Sequence, residues 1–248
     1  MYIRIVVSLI FFLIPTLTNA ADMTLPGVDI TFGGKSSDTQ QIATALKILL
    51  GLTVLSLAPA LLIVMTSFTR IIVVLAILRH AFGMQQTPPN TVLISLALFL
   101  TLFNMAPVFK EINQNAFQPY LNGNMATQSA FDNSMKPMRE FMIKQTREKD
   151  LALMIELAKE EMPTSIDDVS SLMLIPAFML SELKTAFQIG FVIFLPFLLI
   201  DLVVASILMS MGMLMVPPMM ISLPIKILMF VLIDGWALVV SSLMNSFS

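Results

Sequence analysis

Residues 186–225 read AFQIGFVIFLPFLLIDLVVASILMSMGMLMVPPMMISLPI, and this stretch decides the fold. Asp201 is its only charge. About 20 consecutive apolar residues make a helix long enough to cross the ~30 Å hydrocarbon layer of a membrane. Pro217-Pro218 interrupts the run, because neither ring nitrogen can donate a backbone hydrogen bond and each proline restrains the residue before it. The stretch therefore predicts two apolar helices folded back on one another, with residues 209–220 as the tip of the hairpin. Six methionines lie at that tip: Met209, Met211, Met213, Met215, Met219 and Met220. The first four alternate. Alternate residues step about 200° around a helix and would not share a face, whereas in an irregular segment they would. A thioether is flexible and apolar and packs against many shapes. A ring of such groups could close a pore by excluding water, or could serve as ordinary apolar packing.

Outward from this hairpin the chain repeats the theme. Ile48–Thr69 is uncharged, Arg70 follows, Ile71–Leu78 is apolar again, and Thr87-Pro88-Pro89-Asn90 reads as a turn into an apolar helix over 91–109. Residues 110–169 differ, with seven basic and ten acidic side chains. Met135 to Met162 reads there as one helix. Ile227–Phe247 is a last apolar helix carrying Asp234-Gly235-Trp236. The expected organisation is a signal peptide at 1–20, a polar arm at 21–43, an apolar helical hairpin region at 44–109, a polar, mostly helical segment at 110–169, and a second apolar hairpin region at 170–248. The leader reading rests on Arg4, the apolar run Ile5–Ile14, Pro15, and the small Ala20 before the cut. Four spans are expected, at 46–66, 91–109, 186–208 and 224–245, with Arg70 and Arg79 on the inner side.

Composition agrees with a membrane class. Hydrophobic residues make up 57% of the 248 and charged ones 12%, against about 45–50% and 25% in soluble domains. A net charge of −2 gives no basic footprint for nucleic acid. The chain has no cysteine, which excludes disulfides, thiolate metal sites and cysteine nucleophiles. The single histidine, His80, argues against a histidine metal site or a Ser-His-Asp triad. Two carboxylates in apolar surroundings could suggest an intramembrane aspartyl protease. Leu232-Ile233-Asp234-Gly235 lacks the Gly-x-Gly-Asp order of that family, so no enzyme, cofactor or metal is expected.

The isolated charges carry more information. An ionised group facing lipid costs about 2.5–3.5 kcal/mol on insertion scales. Lys47, Arg70, Arg79, Glu182, Lys184, Asp201, Lys226 and Asp234 therefore need partners, water or an interface. The first hairpin carries three cations and no acid, and the last segment supplies Asp201 and Asp234. Contacts between hairpins follow, within one chain or between copies.

Long contiguous motifs complete the pattern. Pro176-Ala177-Phe178-Met179-Leu180-Ser181-Glu182-Leu183-Lys184-Thr185-Ala186-Phe187-Gln188-Ile189-Gly190-Phe191 is followed by Pro196-Phe197-Leu198-Leu199-Ile200-Asp201 and by Met211-Gly212-Met213-Leu214-Met215-Val216-Pro217-Pro218. Leu223-Pro224-Ile225-Lys226, Asp234-Gly235-Trp236, Thr69-Arg70-Ile71 and Gln85-Gln86-Thr87-Pro88-Pro89-Asn90 extend the match. Over residues 44–248 the chain closely resembles the FliP family, core components of the bacterial flagellar type III export gate. The family includes injectisome counterparts that generally lack a cleaved leader, so the leader here favours the flagellar branch. A stand-alone transporter or channel fits less well, since 44–109 and 172–247 show no internal repeat.

The resemblance implies an all-α protein whose helical hairpins assemble side by side into a helical multi-subunit complex. It implies a pentamer with FliQ and FliR, associated with FlhA and FlhB in the inner membrane at the flagellar basal body, part of it above the bilayer on the periplasmic side. Unfolded rod, hook and filament subunits would pass through, driven by partners, with no catalysis by this chain. The family's methionine gate falls on Met213 and Met215, with Leu214 between them, and Met209 and Met211 extend the pore lining. Glu182 and Lys226 are expected to pair across subunits, with Arg70, Asp201 and Asp234 as further inter-subunit charge contacts.

Overall fold

The structure, a computed structural model, describes residues 39–84, 87–159, 169–213 and 215–247. The expected signal peptide and nearly all of the polar arm lie outside the described residues. Every regular element among the described residues is helical. Two compact units are distinguished, 1–53 and 54–248. In the first, residues 39–53 are helical and form the N-terminal part of α1 (Thr39–Val64). There the Thr53 hydroxyl donates to the carbonyls of Leu49 and Leu50 at 2.7 and 2.9 Å.

The second unit contains α2 (Phe68–Ala81), α3 (Asn90–Ile112), a π-helical turn (Asn113–Phe117), α4 (Gln118–Leu121), α5 (Thr127–Gln145), α6 (Glu148–Ala158), α7 (Ser171–Ser210), α8 (Pro218–Leu232) and α9 (Gly235–Asn245). The short α2 is central. It buries Arg70, Ile71, Val74, Leu75, Leu78 and Ala81, three or four residues apart and so on one face. That face packs chiefly on α7 and also on α3. Gly190 permits the approach to α7: a Cβ there would stand 2.4 Å from Ile77 Cδ1 and 3.0 Å from its Cγ2.

Two apolar cores result. One joins α2, α3, α7, α8 and α9 around Leu75, Phe82, Phe197, Phe230 and Leu243. The other joins the end of α3 to the polar segment and the start of α7 around Met105, Met138, Met142, Ile155 and Phe178. Methionine is frequent in this second core, where its unbranched side chain fills the irregular gaps between helices of different direction.

Two expectations are corrected. The helix expected over 135–162 is two helices. The chain turns extended at Thr146 and Arg147, and the freed Arg147 N–H donates to Ser181 Oγ at 2.9 Å. Ser181 Oγ in turn donates to Asp150 at 2.7 Å, so tertiary bonds replace the lost helical ones. Second, the last of the four expected spans is not one straight helix. Among the described residues two helices, Asn90–Leu121 and Ser171–Ser210, are long and apolar enough to cross a membrane, or three if α8 and α9 count as one span. That pair bends by 67° where Asp234 takes a left-handed φ of 50° and Gly235 lies against the Phe230 ring. Arg70 and Arg79 meet different neighbours: Arg70 bonds to Gln145 of the polar segment, and Arg79 to Asn90 of the turn at 87–90.

α7 has 40 residues, about 60 Å at 1.5 Å per residue and twice the hydrocarbon thickness. Its first half is covered by charged neighbours. Arg139 donates to Ser171 Oγ and to the Val169 carbonyl, and Arg147 donates to Thr185 and Gln188.

Candidate functional site

The methionine tip is built by an identifiable helix stop. Gly212 has φ +76°, a conformation that glycine adopts without a Cβ penalty. Its N–H donates to the Met209 carbonyl and the Met213 N–H to the Leu208 carbonyl, both at 3.0 Å. These two bonds are a Schellman motif, which satisfies carbonyls left over at the end of α7. Pro217 and Pro218 then start α8, where a missing N–H costs nothing. Met209 is still helical, Met211 caps the helix, Met213 and Met215 lie in the turn, and Met219 and Met220 open α8. Leu214 lies outside the described residues. All six methionines are exposed, Met215 at 97%. An apolar tip held open to its surroundings by a specific turn is unusual, because exposed apolar surface of this kind marks contact with a partner, a ligand or lipid.

The charges form two separate nodes. Arg70, 1% exposed, meets Glu182, 0% exposed, in a buried pair. Arg70 Nε donates to Glu182 Oε2 at 2.9 Å, and the second nitrogen donates to Oε1. Nη1 donates to the Ser246 carbonyl at 2.8 Å and to its hydroxyl at 3.0 Å. Nη2 also donates to Gln145 Oε1 at 2.9 Å. All five guanidinium donors are thereby used. The Phe247 ring lies 3.9 Å from the guanidinium carbon, a cation–π contact. The node ties α2, α5, α7 and the residues after α9 together at the end of the bundle that carries the polar segment.

The second node centres on Lys226, which is buried on α8. Its ammonium donates to Asp201 Oδ2 at 2.6 Å and to the Ala81 carbonyl at 3.1 Å. This cation at the C-terminal end of α2 also suits the partial negative charge there. Within the chain Glu182 and Lys226 do not pair with each other; the expected pairing is one across subunits. Glu182 and Asp201, the partner of Lys226, are 19 residues apart on α7, about 28 Å, and each buried group already has its own counter-ion. Asp234 is exposed and makes no ion pair among the described residues. Lys47 and Lys184 are exposed, and Arg79 donates to Asn90 and bridges the turn within the first hairpin that leads into α3. Sequence reasoning did not single out Gln145, Ser246 or Phe82. It marked Gly83, a few residues after Arg79-His80, only as a helix end.

The outer surfaces of the long helices are the third feature. Only 22% and 17% of the apolar windows of Asn90–Leu121 and Ser171–Ser210 are buried. Phe99, Phe103, Phe187, Phe191, Leu199 and Leu202 are all exposed. A helix that is apolar all round requires burial in lipid or against other protein.

Comparison with known proteins converges on one family. The model of the FliP family matches residues 51–243. The flagellar biosynthetic protein FliP of Bacillus subtilis (strain 168) is 56% identical over 212 residues, 86% of this chain and 96% of its own. That of Caulobacter vibrioides is 49% identical over 228 residues, 92% of this chain and 85% of its own. That of Aquifex aeolicus is 47% identical over 208 residues, 83% of this chain and 87% of its own. With one family model spanning both apolar hairpins and relatives this similar along nearly their whole length, the chain belongs to the FliP family of flagellar biosynthesis proteins.

Proposed function

We propose that this chain is a core subunit of the flagellar type III protein export gate, and that copies of it line the passage through which unfolded flagellar subunits leave the cell. The observation that carries the reading is the methionine tip: six exposed thioethers on a hairpin turn fixed by a Schellman motif. Such a ring excludes water while the passage is empty and deforms around a moving chain without binding one sequence tightly. Met213 and Met215 form its narrowest part, flanked by Leu214, Met209 and Met211. The chain performs no catalysis. It acts by shape and apolar contact, and the energy for export comes from other components.

The uncovered apolar faces of α3 and α7 support assembly with further copies, a pentamer by family resemblance, and with FliQ and FliR, next to FlhA and FlhB, in the inner membrane at the basal body. The charged cover over the first half of α7 supports a position partly above the bilayer. Asp234 is the group best placed for a charge contact between subunits, since Arg70, Glu182, Asp201 and Lys226 have partners within the chain. Replacing Met213 and Met215 together by alanine in the assembled complex tests the gate: ion leakage should rise, or export change, while the amount of complex stays the same. Unchanged leakage and unchanged export would remove the tip from the gate.

A further inference from the structure

The two arms of the methionine hairpin, α7 and α8, are held at one level by a third element. Phe82, just past the end of α2, is buried between them. Its ring meets Phe197 on α7 edge-on at 5.0 Å and Phe230 on α8 edge-on at 4.8 Å. One residue earlier, the Ala81 carbonyl accepts from Lys226 on α8, and the same ammonium holds Asp201 on α7. One residue later, Gly83 has φ +79°, and the Met219 methyl lies 3.0 Å from where a Cβ would stand. Phe197 and Phe230 are equidistant in sequence from the midpoint between Met213 and Leu214. So are Asp201 and Lys226. The turn thus grips both arms at matched heights, on the side of the bundle where the tip closes.

We propose that the Ala81-Phe82-Gly83 turn is a brace that sets the spacing of the two arms of the methionine hairpin, with Phe82 and Gly83 as positioning residues for the tip. The consequence for gating rests on the tip being the constriction; the brace itself does not. Phe82 supplies the thickness of the wedge, because offset and edge-on aromatic contacts fix ring separations closely. Gly83 supplies the left-handed turn that seats Phe82, since a Cβ there would strain the backbone and would also meet the flexible Met219 methyl. The first apolar hairpin therefore governs the geometry of the second, and a change at its turn would be felt at the gate without touching a methionine.

The absence of native cysteine allows a direct measurement. Spin labels on cysteines replacing Leu199 and Leu228, both exposed and on opposite arms, report the inter-arm distance in the membrane-assembled protein. Labelled chain is diluted with unlabelled chain so that the intrachain distance dominates. Phe82→Ala should shift and broaden the distance distribution and raise ion leakage several-fold, and Phe82→Leu, which keeps most of the wedge, should recover most of both. Gly83→Ala should shift the distance as well, through the strained turn, and adding Met219→Ala should restore little of it because the methionine methyl can move aside. A distribution identical to wild type in both Phe82→Ala and Gly83→Ala overturns the brace. A shifted distribution with wild-type leakage and export leaves the brace standing and instead overturns the reading of the tip as the gate.

Discussion

Consider the replacement of Arg70 by methionine. Glu182 is fully buried and receives two hydrogen bonds from the guanidinium. Without Arg70 its carboxylate is left uncompensated, and breaking a buried pair from one side costs about 3–5 kcal/mol. Glu182→Leu leaves Arg70 buried instead, but Gln145, Ser246 and the Phe247 ring remain as partners. Hydrogen bonds involving a charged group contribute about 1.5–3 kcal/mol each, so with these partners kept this variant should fall at the lower end of the same range. The double variant buries no lone charge. It should therefore lose less than the sum of the singles, with a coupling of about 2–3 kcal/mol, within the range found for residues in direct contact. The assay is denaturant unfolding in mixed micelles, followed by the single tryptophan, Trp236, whose ring packs edge-on against Phe230 at 5.5 Å. The companion cycle pairs Glu182 with Lys226 and should be additive to within about 0.3–0.5 kcal/mol, as for groups with no shared partner. An additive Arg70–Glu182 cycle with a strongly coupled Glu182–Lys226 cycle would refute the two-node assignment and return the charges to contacts between subunits.

Three other perturbations follow from close approaches and special backbone. Gly190→Ala drives a methyl into Ile77 and should cost about 1–3 kcal/mol as an overpacked contact; Ile77→Ala in the same chain should recover much of it in the same unfolding assay. Gly212→Ala places a Cβ in a left-handed position at a cost of about 1–2 kcal/mol, and hydrogen exchange at Gly212 and Met213 should quicken while exchange in the middle of α7 stays unchanged. Asp234→Val puts a branched residue at φ 50° and should lower thermal stability, whereas Asp234→Gly should be neutral or stabilising.

Much of the architecture was legible in the sequence because long uncharged runs leave few alternatives to helix. The hairpin tip was legible for a local reason: Gly212 and Pro217-Pro218 are stop and start signals that act on their own residues. The break at Thr146 was not. Its neighbours favour helix, and the extended pair is held by Ser181 and Asp150, the former on an element more than thirty residues away. Charge partners were equally hidden. An acid-free first hairpin showed that Arg70 needed an acid elsewhere, but the choice of Glu182 over Asp201 depends on which level of α7 meets the start of α2. The π-helical turn carries α3 across the composition boundary at 110, where polarity changes but the backbone does not. Phe82 looked like one more apolar residue, and its role depends on Phe197 and Phe230 meeting it from two helices.

The central claim is that exported chains pass the methionine tip. A photo-crosslinking residue in place of Met215, the most exposed methionine of the tip, tests it most directly, in assembled export complexes jammed by a substrate that cannot clear the passage. Residues on the outer face of α7, such as Leu199, serve as the control. The account predicts crosslinks to the jammed substrate from position 215 and none from position 199. Substrate crosslinks from position 199 with none from position 215 would contradict it.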